Sequence, residues 1–173
     1  METSITNLKM MLSNSSIKAF LEMIRHSEGT AVPVGYRMMF GGKLFMVNKD
    51  PMDASKEIWD HPHVFFAYTN KAGKTIKTSA SGAYQITYTT WVAIKERLGL
   101  TDFSPESQDI AALYLIAEKG AISLITTGHF LQALDKVREI WASLPGSGCN
   151  QPEHTLTEVE TWYEDAGGVR LAA

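Results

Sequence analysis

Residues 19–30 read AFLEMIRHSEGT. Together with Ile17, the residues Phe20, Leu21 and Ile24 recur three and four positions apart, the spacing that lines one face of a helix. Four residues further on, the stripe arrives at Glu28, and Gly29 follows, where a helix can stop. A carboxylate therefore stands where the helix has been aiming hydrophobes. At a helix C-terminus it meets the negative end of the macrodipole, and partial burial adds a second penalty on its charge. Both raise its pKa, and an acid kept protonated near neutrality is what general-acid catalysis requires. The plainer alternative is that Glu28 turns to solvent as the helix frays.

Upstream, Ser15 or Ser16 can cap this helix, and residues 1–14 read as a loose leader. Downstream the texture changes. YRMMFGGKLFMV (36–47) sets Gly41 and Gly42 between two apolar runs, a β-hairpin pattern. VFFAYTNKAGK (64–74) offers a second strand and turn after the stiff HPH corner at 61–63. Polar stretches at 49–56 and 70–77 read as exposed loops. After Gln85 the helical pattern returns. One helix covers 89–98 and stops at Gly99. The next is capped by Ser104, with Pro105 at its first position and acids in its first turn, and ends at Gly120. Another crosses 128–146 to Pro145 and Gly146, and a last one crosses 155–168 to paired glycines. A helical lobe (15–29 with 86–173) and a β-rich lobe (30–81) predict an α+β fold, one domain over 1–173. A cleft is expected between the lobes, with Glu28 at its hinge.

The chain has 173 residues, 45% of them hydrophobic, enough for one compact core. A net charge of −3 and a pI near 5.9 supply no general reason to bind nucleic acid or an anionic membrane. The lone cysteine, Cys149, rules out an internal disulfide framework and suits a reducing compartment. The opening METSITNLKMMLSNSSIK lacks the apolar run of a signal peptide, and no stretch reaches the roughly 18 apolar residues of a membrane span. The expectation is a cytoplasmic protein without stable membrane insertion.

A second stretch, TSASGAYQITYTTW (78–91), bears on function. Ser81, Gly82 and Ala83 are small enough to let backbone approach a ligand. Tyr84 adds a flat face and Gln85 an amide that both donates and accepts, a combination suited to sugars bearing hydroxyl and amide groups. The segments RHSEGT, GYRMMFGGKLF, WDHP, SASGAYQ, LGLTDFSPESQD, IWASLPGSG and EDAGG, in this order between about Ile17 and Gly168, resemble the lambda-phage endolysin family. That resemblance implies a lysozyme-like fold. The implied activity is cleavage of peptidoglycan glycan strands between N-acetylmuramic acid and N-acetylglucosamine, by lytic transglycosylation that leaves a 1,6-anhydro ring. It implies no metal or cofactor. The catalytic glutamate of the family falls on Glu28. SASGAYQI also looks like the ASGLMQI-type segment of cellular lytic transglycosylases, so Gln85, Tyr84 and Ser81 are the implied substrate contacts. Tyr36 and the Gly41-Gly42 turn belong to the implied flanking lobe, and Gln151 is retained as a further contact. The resemblance further implies a phage or prophage enzyme acting as a monomer, held in the host cytoplasm until a holin-like lesion admits it to the wall.

Ordinary glycoside hydrolysis uses two carboxyl groups. The hydrolytic T-even phage lysozymes carry an aspartate nine residues after the glutamate and a threonine six further on; here those positions are Arg37 and Lys43. In transglycosylation the sugar's own C6 hydroxyl attacks, so one glutamate can serve as acid and then base. Asp50, Asp53 and Asp60 remain as candidates for a second acid, which would make the enzyme a hydrolytic muramidase. The chain is longer than the family pattern between Phe45 and Asp60, and Cys149 replaces a tyrosine of that pattern. Two rival readings stand beside this one. His61, His63, His154 and Cys149 can be imagined as zinc ligands of a wall amidase or peptidase. Trp59, Tyr84, Trp91, Trp141 and Trp162 can be imagined as the stacking faces of a non-catalytic wall-binding module. Gln108 and Asp109 read as scaffold in a helix start.

Overall fold

The computed structural model describes residues 4–171. Its helices are α1 (Ile5–Met11), α2 (Ser15–Ser27), α3 (Tyr88–Leu98), α4 (Pro105–Glu118), α5 (Ile122–Thr126), α6 (Phe130–Val137) and α7 (Leu156–Asp165). Between α2 and α3 lie the strands β1 (Asn48–Asp50), β2 (Asp53–Ile58), β3 (Phe66–Thr69) and β4 (Thr75–Thr78). β1 pairs with β2 and β3 with β4, both antiparallel, as two separate hairpins. The α+β expectation holds.

The apolar stripe of α2 is buried as its spacing requires: Ile17, Phe20, Leu21 and Ile24 join the core with Met23. Phe20 meets Tyr163 of α7 and Phe130 of α6 edge-on, with ring centroids 6.1 and 6.0 Å apart. α4 is buried on several sides through Ile110, Ala111, Ala112, Leu113 and Ile116, as expected for a helix with others packed around it. Its Ser104 cap and first-turn Pro105 are as the sequence predicts. Thr155 and Glu158 close a capping box at the start of α7.

Five expectations need correction. The leader is not loose over its described part: α1 is capped by Ser4 and buries Leu8 completely, while residues 1–3 lie outside the described region. α2 is capped by Asn14, whose Oδ1 accepts the Ile17 amide at 3.1 Å, one residue before the serines. The polar stretch at 49–56 is not a loop. It forms most of the β1–β2 hairpin, where Lys49 and Glu57 face each other in register and pair at 3.2 Å. The 70–77 stretch likewise runs into β4 after a turn in which Asn70 Oδ1 accepts the amides of Ala72 and Lys74. Finally, the helix expected across 128–146 ends at Val137. Trp141, buried outside any helix, donates from Nε1 to the Tyr84 carbonyl, a tertiary bond that competes with continued helix.

The Gly41-Gly42 pattern does reverse the chain, but through two short 3₁₀ turns rather than paired strands. Both glycines take positive φ, 79° and 81°, and among the described residues the strand-like pairing of the reversal is limited to isolated bridges, Met38 to Leu44 and Met39 to Ser81.

Candidate active site

α2 ends where its stripe runs out. The Glu28 amide makes the last α-helical bond, to the Ile24 carbonyl at 2.9 Å, and Gly29 turns the chain with φ 70°. Thr30 then ties back through its amide to the Arg25 carbonyl, and its hydroxyl donates to the carbonyl of Ala83. The end of α2 is thereby fixed against the 81–86 segment, and Glu28 is held in a groove between the lobes.

The groove encloses about 310 Å³. One wall carries Ser27, Glu28, Ser143 and His154; the other carries the 38–42 reversal and Gln85. Ser143 donates to Glu28 Oε1 at 2.6 Å, and its own oxygen lies in hydrogen-bonding contact with the Ser27 hydroxyl. His154 donates from Nε2 to the Ser27 carbonyl at 3.1 Å. Burial is the dominant influence on Glu28 and lifts its pKa from 4.5 to about 7; the Ser143 hydroxyl works against that rise. Glu28 does not turn to solvent, and among the described residues it is the only carboxyl group lining the groove.

Gln85 also lines the groove, with φ 47°. Its Nε2 donates to the carbonyls of Met38 and Gly82 at 3.2 and 3.0 Å. The Oε1 acceptor is left without a protein partner among the described residues. Ser81 and Tyr84 lie beneath the groove, not on its surface. Ser81 is fully buried with its hydroxyl on the Ser79 carbonyl. Tyr84 is buried and donates to Asp109 Oδ1 at 2.7 Å. Tyr36 donates to the same oxygen at 2.8 Å, and the Arg25 guanidinium sits 4.9 Å over its ring. Burial raises the Asp109 pKa while the two phenols oppose that rise. The close approach foreseen at Gly82 is real, but its neighbour is the buried Gln108: a Cβ at Gly82 would collide with Gln108 Oε1, which accepts the Ala83 amide at 2.8 Å. Gln108 and Asp109 are thus scaffold under the floor. Gln151 reaches from the loop before α7 and donates to the Tyr68 hydroxyl of β3 at 2.7 Å. Beside it, Lys71 donates its amide to the Asn150 carbonyl at 2.9 Å.

The three aspartates of the β lobe stand away from the groove lining. Asp50 binds the Met52 amide, Asp53 is held by Ser55 and Lys56, and Asp60 is exposed. The histidines do not converge either. His61 donates from Nε2 to the Ile86 carbonyl and accepts the His63 amide at Nδ1, so both ring nitrogens are committed. His63 stacks on Tyr88 at 3.6 Å. Among the described residues, no three His, Cys, Asp or Glu side chains gather as a metal site. Trp91 and Trp141 are core, and Trp162 is covered by His26 and the edge of His154. A larger cavity of about 770 Å³ lies among α1, α2, α4 and α5, and none of the described residues lining it is titratable.

Ser143 is the participant that sequence reasoning passed over. It lies inside IWASLPGSG, 115 residues from Glu28, and no local spacing announces the contact. His154 entered only as an imagined metal ligand.

A helical lobe, a small β lobe and a half-buried glutamate at the helix end between them define a lysozyme-like enzyme. The comparisons agree. The solved structure of bacteriophage lambda lysozyme complexed with a chitohexasaccharide superposes with a TM-score of 0.78 at 36% identity, covering 91% of this chain and 97% of that one. A second structure of lysozyme from bacteriophage lambda reaches 0.74 at the same identity and coverage. In sequence, the endolysin of Escherichia phage lambda is 38% identical over 161 residues, covering 90% of this chain and 93% of that protein. The endolysin of Escherichia phage P2 is 40% identical over 172 residues, covering 91% and 96%. The Endolysin family profile matches residues 18–170, and the chain belongs to that family. Among the described residues no helix is long and apolar enough to cross a membrane.

Proposed function

We propose that this protein is a phage or prophage endolysin that cuts the β-1,4 bond between N-acetylmuramic acid and N-acetylglucosamine, by lytic transglycosylation. The observation that carries this reading is a carboxyl group that stands alone in the groove among the described residues, half-buried and poised near neutrality. Hydrolysis with retention needs a second carboxyl about 5–5.5 Å from the first, and inversion needs one at about 6.5–9.5 Å. Asp50, Asp53 and Asp60 are occupied elsewhere or exposed. With one group, the chemistry that balances is sequential. Glu28 gives its proton to the glycosidic oxygen as that bond breaks. The resulting carboxylate then takes the proton of the muramyl C6 hydroxyl as its oxygen closes onto C1.

Gln85 Oε1 is the acceptor we assign to a sugar hydroxyl or acetamido N–H, and the Phe40 ring with the Gly41-Gly42 backbone forms the facing surface. Tyr84, Ser81 and Tyr36 act through the floor in this reading, and Gln151 from the groove margin. The sugar-bound state of the lambda lysozyme supports an N-acetylated glycan as ligand. The protein works as a monomer without metal or cofactor, and waits in the host cytoplasm until a holin-like lesion admits it to the periplasm.

The test is mass spectrometry of soluble products from purified peptidoglycan, beside a Glu28→Gln variant. Anhydro-muramyl ends lost in the variant support transglycosylation. Reducing muramyl ends lost in the variant mean a hydrolytic muramidase, with water activated by a group outside the groove lining. Intact glycan with cut peptides overturns the reading.

A further inference from the structure

We infer that Ser143 is a positioning residue for Glu28: it occupies one carboxyl oxygen and reserves the other for the proton that is transferred. This rests on the reading of Glu28 as the acid–base group.

A serine hydroxyl has one proton to give. Ser143 gives it to Glu28 Oε1 at 2.6 Å. The contact between the Ser143 and Ser27 hydroxyls must then be donated by Ser27. A serine in a helix turns its hydroxyl to solvent or back to the carbonyl four residues earlier; Ser27 sends it across to a loop 116 residues away. Its backbone is held in place by His154. The relay therefore runs one way, from Ser27 to Ser143 to Glu28. In a protonated carboxyl group the oxygen that accepts is the carbonyl oxygen, so the acidic proton resides on Oε2. That oxygen has no protein partner among the described residues, and is left for the leaving group. After transfer, the bond from Ser143 becomes charge-assisted and strengthens on the carboxylate. Ser143 thus favours the state Glu28 enters as it acts, and keeps one geometry through both proton transfers.

The elements packed around the site carry other charged and titratable groups: Glu22, Arg25 and His26 on α2, Lys43 beside the glycine turn, Glu153 and His154 before α7, and Asp109 on α4. Among them only His154 lines the groove. Its contribution is common to the wild type and the variants below.

The experiment compares wild type with Ser143→Ala, Ser143→Thr and Ser27→Ala. It uses the pH profile of kcat and KM on purified peptidoglycan, and carbon-13 NMR titration of the Glu28 carboxyl in the free enzyme. Loss of the donor in Ser143→Ala is expected to move the Glu28 titration and the alkaline limb of the rate profile to higher pH. It is also expected to lower kcat about 10- to 100-fold with KM nearly unchanged. Ser143→Thr restores both, and Ser27→Ala moves both in the same direction by less. An unshifted Glu28 titration in Ser143→Ala and Ser27→Ala overturns the proposal, as does a loss confined to KM. Should Ser143→Ala not fold, the Ser27→Ala titration decides alone. If Glu28→Gln keeps wild-type cleavage, the acid–base reading fails, and the NMR shift still reports whether Ser143 governs Glu28.

Discussion

Glu28→Gln should make the protein more stable, and only above a defined pH. The folded protein holds this carboxyl at about 7, against 4.5 as the ordinary value. Below 4.5 the group is protonated in both folded and unfolded chains and contributes nothing. Between 4.5 and about 7 the unfolded chain releases its proton while the folded one keeps it, so stability falls as pH rises. Above 7 both are ionised and the penalty is constant. The interval, at about 1.36 kcal/mol per pH unit, amounts to roughly 3 kcal/mol. Glu28 is half-buried and solvent takes part of that, so about 1–3 kcal/mol is expected, or about 3–10 °C in Tm for a chain of this size. Glutamine has the same shape, carries no charge and still accepts the Ser143 hydroxyl. Asp109 also titrates with a raised pKa, but it is common to both proteins and cancels in the difference. The assay is urea unfolding of wild type and variant at pH 4, 6 and 8. The variant should match wild type at pH 4 and gain progressively to pH 8. A difference independent of pH would refute the claim that burial holds Glu28 protonated.

Tyr84→Phe removes one of two donors to the half-buried Asp109. It should cost about 1–3 kcal/mol of stability by denaturant unfolding at pH 7, while kcat/KM of the folded fraction stays within a few-fold; a large KM rise at full stability would mean that Tyr84 meets the sugar directly. Gly82→Ala sets a Cβ against Gln108 at a backbone φ of 80°. It should lower stability by about 1–3 kcal/mol or more, seen as a drop in Tm. Dialysis against a chelator should leave cleavage unchanged, because His61 has both nitrogens committed and His63 lies flat on Tyr88. Activity lost to the chelator and restored by zinc would revive the amidase reading.

What could be read in the sequence was what short-range chemistry decides. α2, α3, α4 and α7 announce themselves through caps, terminal glycines and apolar stripes, all within a few residues of one another. Glu28 was legible for the same reason, since its oddness is an interruption in a local period. β1–β2 was not, because its strands are polar and largely exposed; cross-strand pairs such as Lys49 with Glu57 replace the alternation that marks a half-buried strand. The short reach of α6 was hidden because Trp141 answers to Tyr84, 57 residues away. The SASGAYQ segment was read with the right residues and a different neighbour: its small side chains admit Gln108, and its tyrosine serves Asp109. Ser143 was illegible in principle, since a serine becomes a partner of Glu28 only once the fold brings a loop to the end of α2.

The 81–86 segment explains why the floor of the groove holds its shape. Thr30 from the end of α2 binds the Ala83 carbonyl, Gln108 from α4 binds the Ala83 amide, and Trp141 from the loop after α6 binds the Tyr84 carbonyl. Three elements distant in sequence thus converge on the backbone of two adjacent residues, and the next residue is Gln85. Each bond is buried or nearly so, and an unpaired polar group there costs more than the bond contributes when made. The arrangement therefore penalises any slip of one element against another. In the proposed transglycosylation, a single carboxyl group first gives and later takes a proton, so it must meet two different oxygens without moving far, and this shared backbone constrains the distance between Glu28 and Gln85. Fixing that distance with directional bonds, instead of with apolar packing alone, limits the sliding that packing tolerates. The desolvation that burdens Glu28 and the polar bonds beneath it are parts of one structure: the groove is stable enough to hold an acid that, ionised, would prefer water.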